Sequence, residues 1–279
     1  MLIGHEKIVE DLKKLASGGK LAHGYIFFGL AMTGKRTTAI QFANFLEAKN
    51  GPDIVLQDCL LIGPDEKGTL GIDAVRSLKN FLWQKPNVSS KRTAILDGAE
   101  NMTGEARNAL LKIAEEPPPS TLLILITSDI ESIGETVSSR LQKIYFSPVK
   151  NNLISEWLCA EIGLPKKTAE ELAARSGGRP GFAYDLAKDK KFKESIDNAE
   201  KFLKLSADKG RDFIKKLVEP DDFSLVDFMD FLILLAAESG IKNKKSTERW
   251  HKLLKLRYDA AYLNLNPRLQ LENLLYSAN

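Results

Sequence analysis

Apolar residues first recur at helical spacing in "HEKIVEDLKKLA", residues 5–16, where Ile8, Leu12 and Leu15 share a face. The paired glycines of "ASGGKLAHG" stop that pattern. A short apolar run, "YIFFG", then ends in Gly29 and suits a buried strand feeding a loop. From Thr37 the periodicity is helical again, with Phe42, Phe45 and Leu46 of "TTAIQFANFLEA" on an apolar face. "DIVLQDCLLI" (53–62) is the next strand candidate, and "GIDAVRSLKNFL" (71–82) a helix that groups Val75, Leu78 and Leu82. "RTAILDGAE" reads as a strand ending in acids, "GEARNALLKIAEE" as a helix stopped by Pro117, Pro118 and Pro119, and "TLLILITSD" as a strand ending in polar residues. Strands alternating with helices through residue 148 predict an α/β domain with a largely parallel sheet and sites at its carboxyl edge.

After "SPVKN" the periodicity is helical with no convincing strand, so an all-α part follows the α/β part. "RSGGRPG" at 175–181 and "VEPDD" at 218–222 interrupt it. The expected divisions are 1–148 for the α/β domain, 149–190 for a small helical domain and 191–279 for a longer helical one. Basic clusters at "KDKKFK" and "IKNKKS" read as solvated helix ends.

Composition narrows the function classes only slightly. The 279 residues suffice for about two domains, and 43% hydrophobic content is ordinary for a globular protein. A net charge of +3 does not announce a nucleic-acid binder, so any such contact must be a local patch. Cys59 and Cys159 form neither a C-x-x-C metal half-site nor a disulfide framework and read as packing residues. No apolar run approaches the roughly 20 residues of a membrane span, and the first residues lack the apolar stretch of a signal peptide. A cytoplasmic protein with no membrane contact is expected.

The candidate chemistry lies in "GLAMTGKRTTA", residues 29–39. Its G-x-x-x-x-G-K pattern, placed after a strand and before a helix, is that of a phosphate-binding loop. Gly29 and Gly34 let the backbone turn its N–H groups inward, and Lys35 supplies a point charge for phosphate. The next position, normally the hydroxyl that holds Mg2+, is Arg36, which cannot ligate a cation. Thr37 follows, but it points roughly 100° further around the helix and is no automatic substitute. Asp97 is the acid at a strand end that would help position the metal, yet the next residue, where many ATPases carry a glutamate, is Gly98. The loop is equipped for a nucleotide; two missing parts argue against hydrolysis.

The phosphate loop, "AILDGAENMTGEARNALLKIAEEPPPSTLLILITSD", "TVSSRLQKIYFSP" and the terminal "LNPRLQLENLL" together resemble the AAA+ subunits of bacterial sliding-clamp loaders. "SSRLQ" matches the family's serine-arginine-cysteine motif with Leu141 in the cysteine's place. The resemblance implies a RecA-like AAA+ nucleotide-binding domain, a helical lid and a helical collar that joins subunits into a ring, over the three ranges given above. It also implies that Arg140 is an arginine finger, donated in trans to ATP held by a neighbour, where its guanidinium would neutralise charge on the transferred phosphoryl group. In "GGRPGFA" the lid's sensing arginine falls on Gly181, with Arg179 two places early.

Together with Arg36 and Gly98, that third departure resembles a delta-prime subunit of DNA polymerase III with little or no ATPase of its own. ATP or ADP with Mg2+ would then bind weakly or not at all. The implied partners are gamma/tau and delta subunits, the sliding clamp and primed DNA; Lys91, Arg92 and Arg107 near the sheet's edge are candidates for the DNA backbone, with solvated surface the favoured reading of any one of them. The four-cysteine zinc module common in the family looks deleted from "FLEAKNGPDIVLQDCLL", so no zinc is expected. The alternatives are a gamma/tau-like active ATPase and an AAA+ protein of DNA repair or recombination.

Overall fold

The structure, a computed structural model, describes residues 2–48, 56–205, 207–220, 223–239, 244–263 and 265–276. The chain divides into two compact units, Met1–Tyr184 and Asp185–Asn279.

The first unit is built on five parallel strands: β1 (Gly24–Phe28), β2 (Cys59–Ile62), β3 (Arg92–Asp97), β4 (Thr121–Thr127) and β5 (Gln142–Tyr145). Their order is β2-β3-β4-β1-β5, so β1 lies between β4 and β5 and the loop after it opens at a change of strand order. The strands alternate between two buried faces. Ile26, Ala94, Leu96, Leu123 and Leu125 pack with helices α3 (Ile72–Leu82) and α4 (Gly104–Glu115). Tyr25, Phe27, Ile95, Leu122, Ile124 and Ile126 pack with α1 (Glu6–Ser17) and α2 (Lys35–Leu46). A sheet covered on both sides explains why these strands read as continuous apolar runs.

Local signals set the helix ends. Thr103 caps α4, its hydroxyl accepting from the Ala106 N–H at 3.2 Å, and the prolines after Glu116 prevent continuation. In α1 the buried residues are Val9 and Leu12, while Leu15 is exposed. In α2 Phe42 is buried, whereas Phe45 stands at the surface, stacked on Phe42 with Lys13 Nζ 5.1 Å from its ring centroid.

The strand expected at 53–62 is shorter, and its first three residues lie outside the described ones. Asp58 breaks it. This buried carboxylate accepts the N–H groups of Asn87, Val88 and Ser89 at 2.7, 2.7 and 2.8 Å and lies 3.2 Å from Arg92. Arg92, a DNA-backbone candidate from sequence, is therefore a buried structural cation. It also donates to the Gln57 carbonyl and Gln84 and sits 4.5 Å from the Phe81 ring centroid. Lys91 donates to the Pro119 carbonyl, and Arg107 is half-buried beside Gly134. Glu47, also buried, accepts the N–H groups of Gln57 and Asp58, tying the end of α2 to the approach to β2.

β5 was not evident in the sequence pattern. It is an edge strand beside β1, mostly exposed, so only Ile144 carries an inward apolar signal. Before it lies the four-residue α5 (Glu135–Ser138). Helices α6 (Asn151–Ile162) and α7 (Lys166–Arg175) follow, and α8 (Pro180–Lys188) spans the division between the units.

The second unit holds α9 (Lys190–Lys204), α10 (Ala207–Leu217), α11 (Leu225–Ser239), α12 (Lys244–Tyr262) and α13 (Pro267–Tyr276) around Phe202, Ile214, Phe228, Met229, Leu232, Leu253 and Leu271. Among the described residues after 150 there is no strand. In "VEPDD" the two aspartates lie outside the described residues, as do the first three residues of "IKNKKS". No described helix is long and apolar enough to cross a membrane.

Candidate functional site

β1 delivers the chain into a loop at the carboxyl edge of the sheet, where glycine is required twice. Gly29 has φ 136°, and a Cβ there would overlap the Phe146 carbonyl. Gly34, at φ 99°, is the left-handed residue that starts α2. Between them the non-glycine Met32 also takes a positive φ of 62°, the backbone curl of a phosphate cradle.

Within that cradle Lys35 is bent back. It is 5% exposed, and its Nζ donates to the Gly29 and Leu30 carbonyls at 2.7 and 2.6 Å. Thr33 donates its hydroxyl to the same Leu30 carbonyl at 2.8 Å. Burial lowers the Lys35 ammonium from its ordinary pKa, against the attraction of Glu100 and Asp97. The N-terminal segment lies beside the loop: Leu2 and His5 are the nearest neighbours of Gly34, and His5 packs on Phe146 with ring centroids 4.7 Å apart.

Arg36 and Asp97 meet directly. An Arg36 guanidinium nitrogen (Nη1) is 3.5 Å from Asp97 Oδ2, so the cation beside the strand-end acid belongs to the chain itself. Burial raises the Asp97 carboxyl, with Glu100 adding to the effect and Arg36 opposing it. Glu100 turns away to accept from the Ser128 N–H and hydroxyl. Thr37 is exposed on the first turn of α2. Gly98 has φ 70°, and a Cβ there would lie 3.1 Å from Pro64 Cγ and from the Asn101 side chain, so a glutamate would be strained on this backbone. The phosphate cradle fits a nucleotide's phosphates. The Mg2+ position does not fit a metal, because Arg36 answers Asp97 and the neighbouring acid is missing.

The start of α8 meets the same loop. The Gly181 N–H donates to the Met32 carbonyl at 3.0 Å, and a Cβ at 181 would stand 3.2 Å from that oxygen and from Met32 Cβ. An arginine at 181 would have to push the loop aside. Arg179 turns instead back onto the turn between α7 and α8, donating to the Ser176 carbonyl at 2.7 Å and covering Phe182 at 4.4 Å from the ring centroid.

Gly29, Gly34, Lys35, Arg36, Thr37 and Asp97 are thus brought together, and Arg140 is apart from them. Gln142, two residues after Arg140, pairs with Tyr25 at the start of β1, whereas the cradle begins after its end. The length of β1, five residues or roughly 16 Å at 3.3 Å per residue, separates the two edges. Arg140 is an exposed residue after α5, and Leu141 beside it fills the core. Two contacts escaped the sequence reading, Gly181 with Met32 and Glu115 with Arg140. Neither has a spacing signal, since each joins elements distant in the chain.

Cys59, in the stretch from which the family's zinc module looks deleted, has its thiol pushed up to about 12 by burial and by Glu47, so it is no ready thiolate. Among the described residues no group of His, Cys, Asp and Glu could hold a metal ion.

Comparison with known proteins places this geometry in a lineage. The family model described as DNA polymerase III, delta subunit matches residues 4–150. The chain is 31% identical over 191 residues to the DNA polymerase III subunit delta' of Pseudomonas aeruginosa, covering 62% of this chain and 58% of that protein. To the gamma/tau subunit of Mycobacterium tuberculosis it is 28% identical over 201 residues, 67% of this chain and 32% of the other. It spans from about a third to about a half of the length of the first curated relatives it matches.

Among solved structures, a DNA polymerase III gamma subunit-related protein from Thermotoga maritima superposes with a TM-score of 0.63 at 21% identity, covering 97% of this chain and 98% of that one. The RuvB Holliday junction branch migration motor of the same organism gives 0.52 at 16%, covering 95% and 91%. Those likenesses establish an AAA+ P-loop fold, α/β followed by all-α. With the family match covering more than half of its residues, the chain belongs to the DNA polymerase III delta-subunit family.

Proposed function

We propose that the chain is a delta-prime-like subunit of a DNA polymerase III clamp loader, helping to load a sliding clamp onto primed DNA beside gamma/tau and delta subunits. In this reading residues 1–148 are the nucleotide-binding module, 149–190 the lid and 191–279 the collar through which the ring assembles. The chain hydrolyses little or no ATP itself and offers Arg140 to ATP held by a neighbour. The observation that carries the reading is the Arg36–Asp97 pair, which sets a cation of the chain itself beside the strand-end acid expected to help position a metal.

The placement of Arg140 supports the second half. It lies at the amino edge of the sheet and so cannot serve the cradle at the carboxyl edge of its own chain. A guanidinium presented across a subunit boundary neutralises charge on a transferring phosphoryl group, an effect worth about 10³–10⁵ in rate where such fingers are known. A gamma/tau-like ATPase would need Asp97 free for a metal, which the Arg36 contact disfavours. A repair or recombination protein has only the fold likeness behind it.

The test is reconstitution with gamma/tau and delta subunits of the same organism. The isolated chain should show negligible ATP turnover. The assembly should turn over ATP in the presence of clamp and primed DNA, and Arg140→Ala should reduce that rate at least tenfold. An unchanged assembled rate would reject the trans finger.

A further inference from the structure

Arg140 is not idle in the subunit itself. Its Nη2 lies 2.8 Å from Glu115 Oε1, while Nη1 donates to the Thr136 carbonyl and, at 3.3 Å, to Ser139 Oγ. Glu115 is the last residue of α4; Thr136 and Ser139 belong to α5 and its C-terminal cap. The Arg140 and Glu115 side chains are 39% and 41% exposed, so the pair is open to an incoming group.

The position of Glu115 is unfavourable for its own helix. A carboxylate in the last turn of α4 faces the negative end of the helix dipole, where a base is preferred. Immediately afterwards Glu116 and the prolines fix the chain's exit, so the carboxylate is presented from a well-defined end. We infer that Glu115 is the holding partner of Arg140: a positioning residue that occupies the guanidinium in the free subunit and yields it to phosphate on assembly. This rests on the trans-finger reading of Arg140.

The exchange is chemically like for like. A carboxylate and a phosphate both offer anionic oxygens to the guanidinium fork, so Nη2 can leave one for the other. The Nη1 contacts to Thr136 and Ser139 keep the arm oriented while this happens. Because the pair is solvent-exposed, the hold is weak, and its removal should shift the engagement equilibrium by about 1.5- to 5-fold.

The experiment uses the assembly with ATP, clamp and primed DNA, comparing Glu115→Gln, Glu115→Asp, Arg140→Ala and the Glu115→Gln/Arg140→Ala double variant. Glu115→Gln is expected to raise kcat/KM for ATP by about 1.5- to 5-fold, and Glu115→Asp, which keeps the charge, to stay near the parent. The double variant should match Arg140→Ala alone, since without the guanidinium there is nothing to hold. If Arg140→Ala lowers the rate but Glu115→Gln leaves kcat/KM unchanged or reduced, the holding role is wrong. If Arg140→Ala itself changes nothing, the finger reading fails instead, and the two failures are distinguishable.

Discussion

Asp58→Ala should destabilise the first unit by about 3–5 kcal/mol, the range for breaking a buried ion pair by removing one partner. The carboxylate is 1% exposed and Arg92 5% exposed, so neither charge has bulk water to fall back on. The substitution also strands the Asn87, Val88 and Ser89 N–H groups, each now bonded to a carboxylate oxygen. These losses overlap and do not add. At roughly 2–4 °C per kcal/mol for a unit of this size, the melting temperature should fall by about 6–20 °C, measured by calorimetry or circular dichroism.

Adding Arg92→Met removes the orphaned cation and should recover part of the loss. The pH dependence has a definite sign. Burial alone would raise the Asp58 carboxyl, but the three N–H groups and Arg92 outweigh it and hold its pKa below the ordinary value. Its contribution is complete above the unfolded-state value of about 4 and is lost as pH falls through the lower folded one. The gap between parent and Asp58→Ala should therefore narrow below about pH 4. A loss under about 1 kcal/mol at neutral pH, or a double variant less stable than the single one, would refute the reasoning.

Two further substitutions probe the cradle. Arg36→Thr removes the internal cation and restores a hydroxyl; any ATP-induced thermal shift, independent of Mg2+ in the parent, should become Mg2+-dependent, and a parent shift already abolished by EDTA would count against the Arg36 argument. The structural loss should stay below about 1 kcal/mol, because the Arg36 side chain is 59% exposed. Gly181→Arg forces side-chain atoms toward Met32 and should destabilise by about 1–3 kcal/mol in denaturant titrations, as overpacking does; a neutral result would mean that the contact between residue 181 and the loop gives way without cost.

The sheet was legible where burial is two-sided. β1, the centre of β4 and the Ala94–Leu96 centre of β3 are apolar runs because both of their faces are covered, and α3 and α4 show one apolar stripe each because one face is. Legibility failed where the determining contacts are polar or one-sided. β5 has one inward residue and is held by backbone pairing to β1, which leaves no side-chain pattern. Arg92 looked like a surface base because nothing in the sequence says that Asp58, Gln57 and Gln84 converge on it.

At the candidate site the sequence pattern names candidate residues, but not their dependence on one another. Read along the chain, Arg36, Gly98 and Gly181 are three separate departures from an ATPase pattern. In space each is fitted to its surroundings. Arg36 neutralises Asp97, Gly98 takes a left-handed turn against Pro64, and Gly181 lets α8 reach the Met32 carbonyl. A threonine at 36 alone would leave a glutamate at 98 on a strained left-handed backbone, and an arginine at 181 alone would crowd the loop that holds Lys35. On the proposed reading, a hydrolytic site would need coordinated change in α2, in the turn after β3 and at the start of α8. On that reading the loop acts as a joint between β1, the N-terminal segment and the start of α8, and the chemistry offered to a neighbour lies at the opposite edge of the sheet, on Arg140.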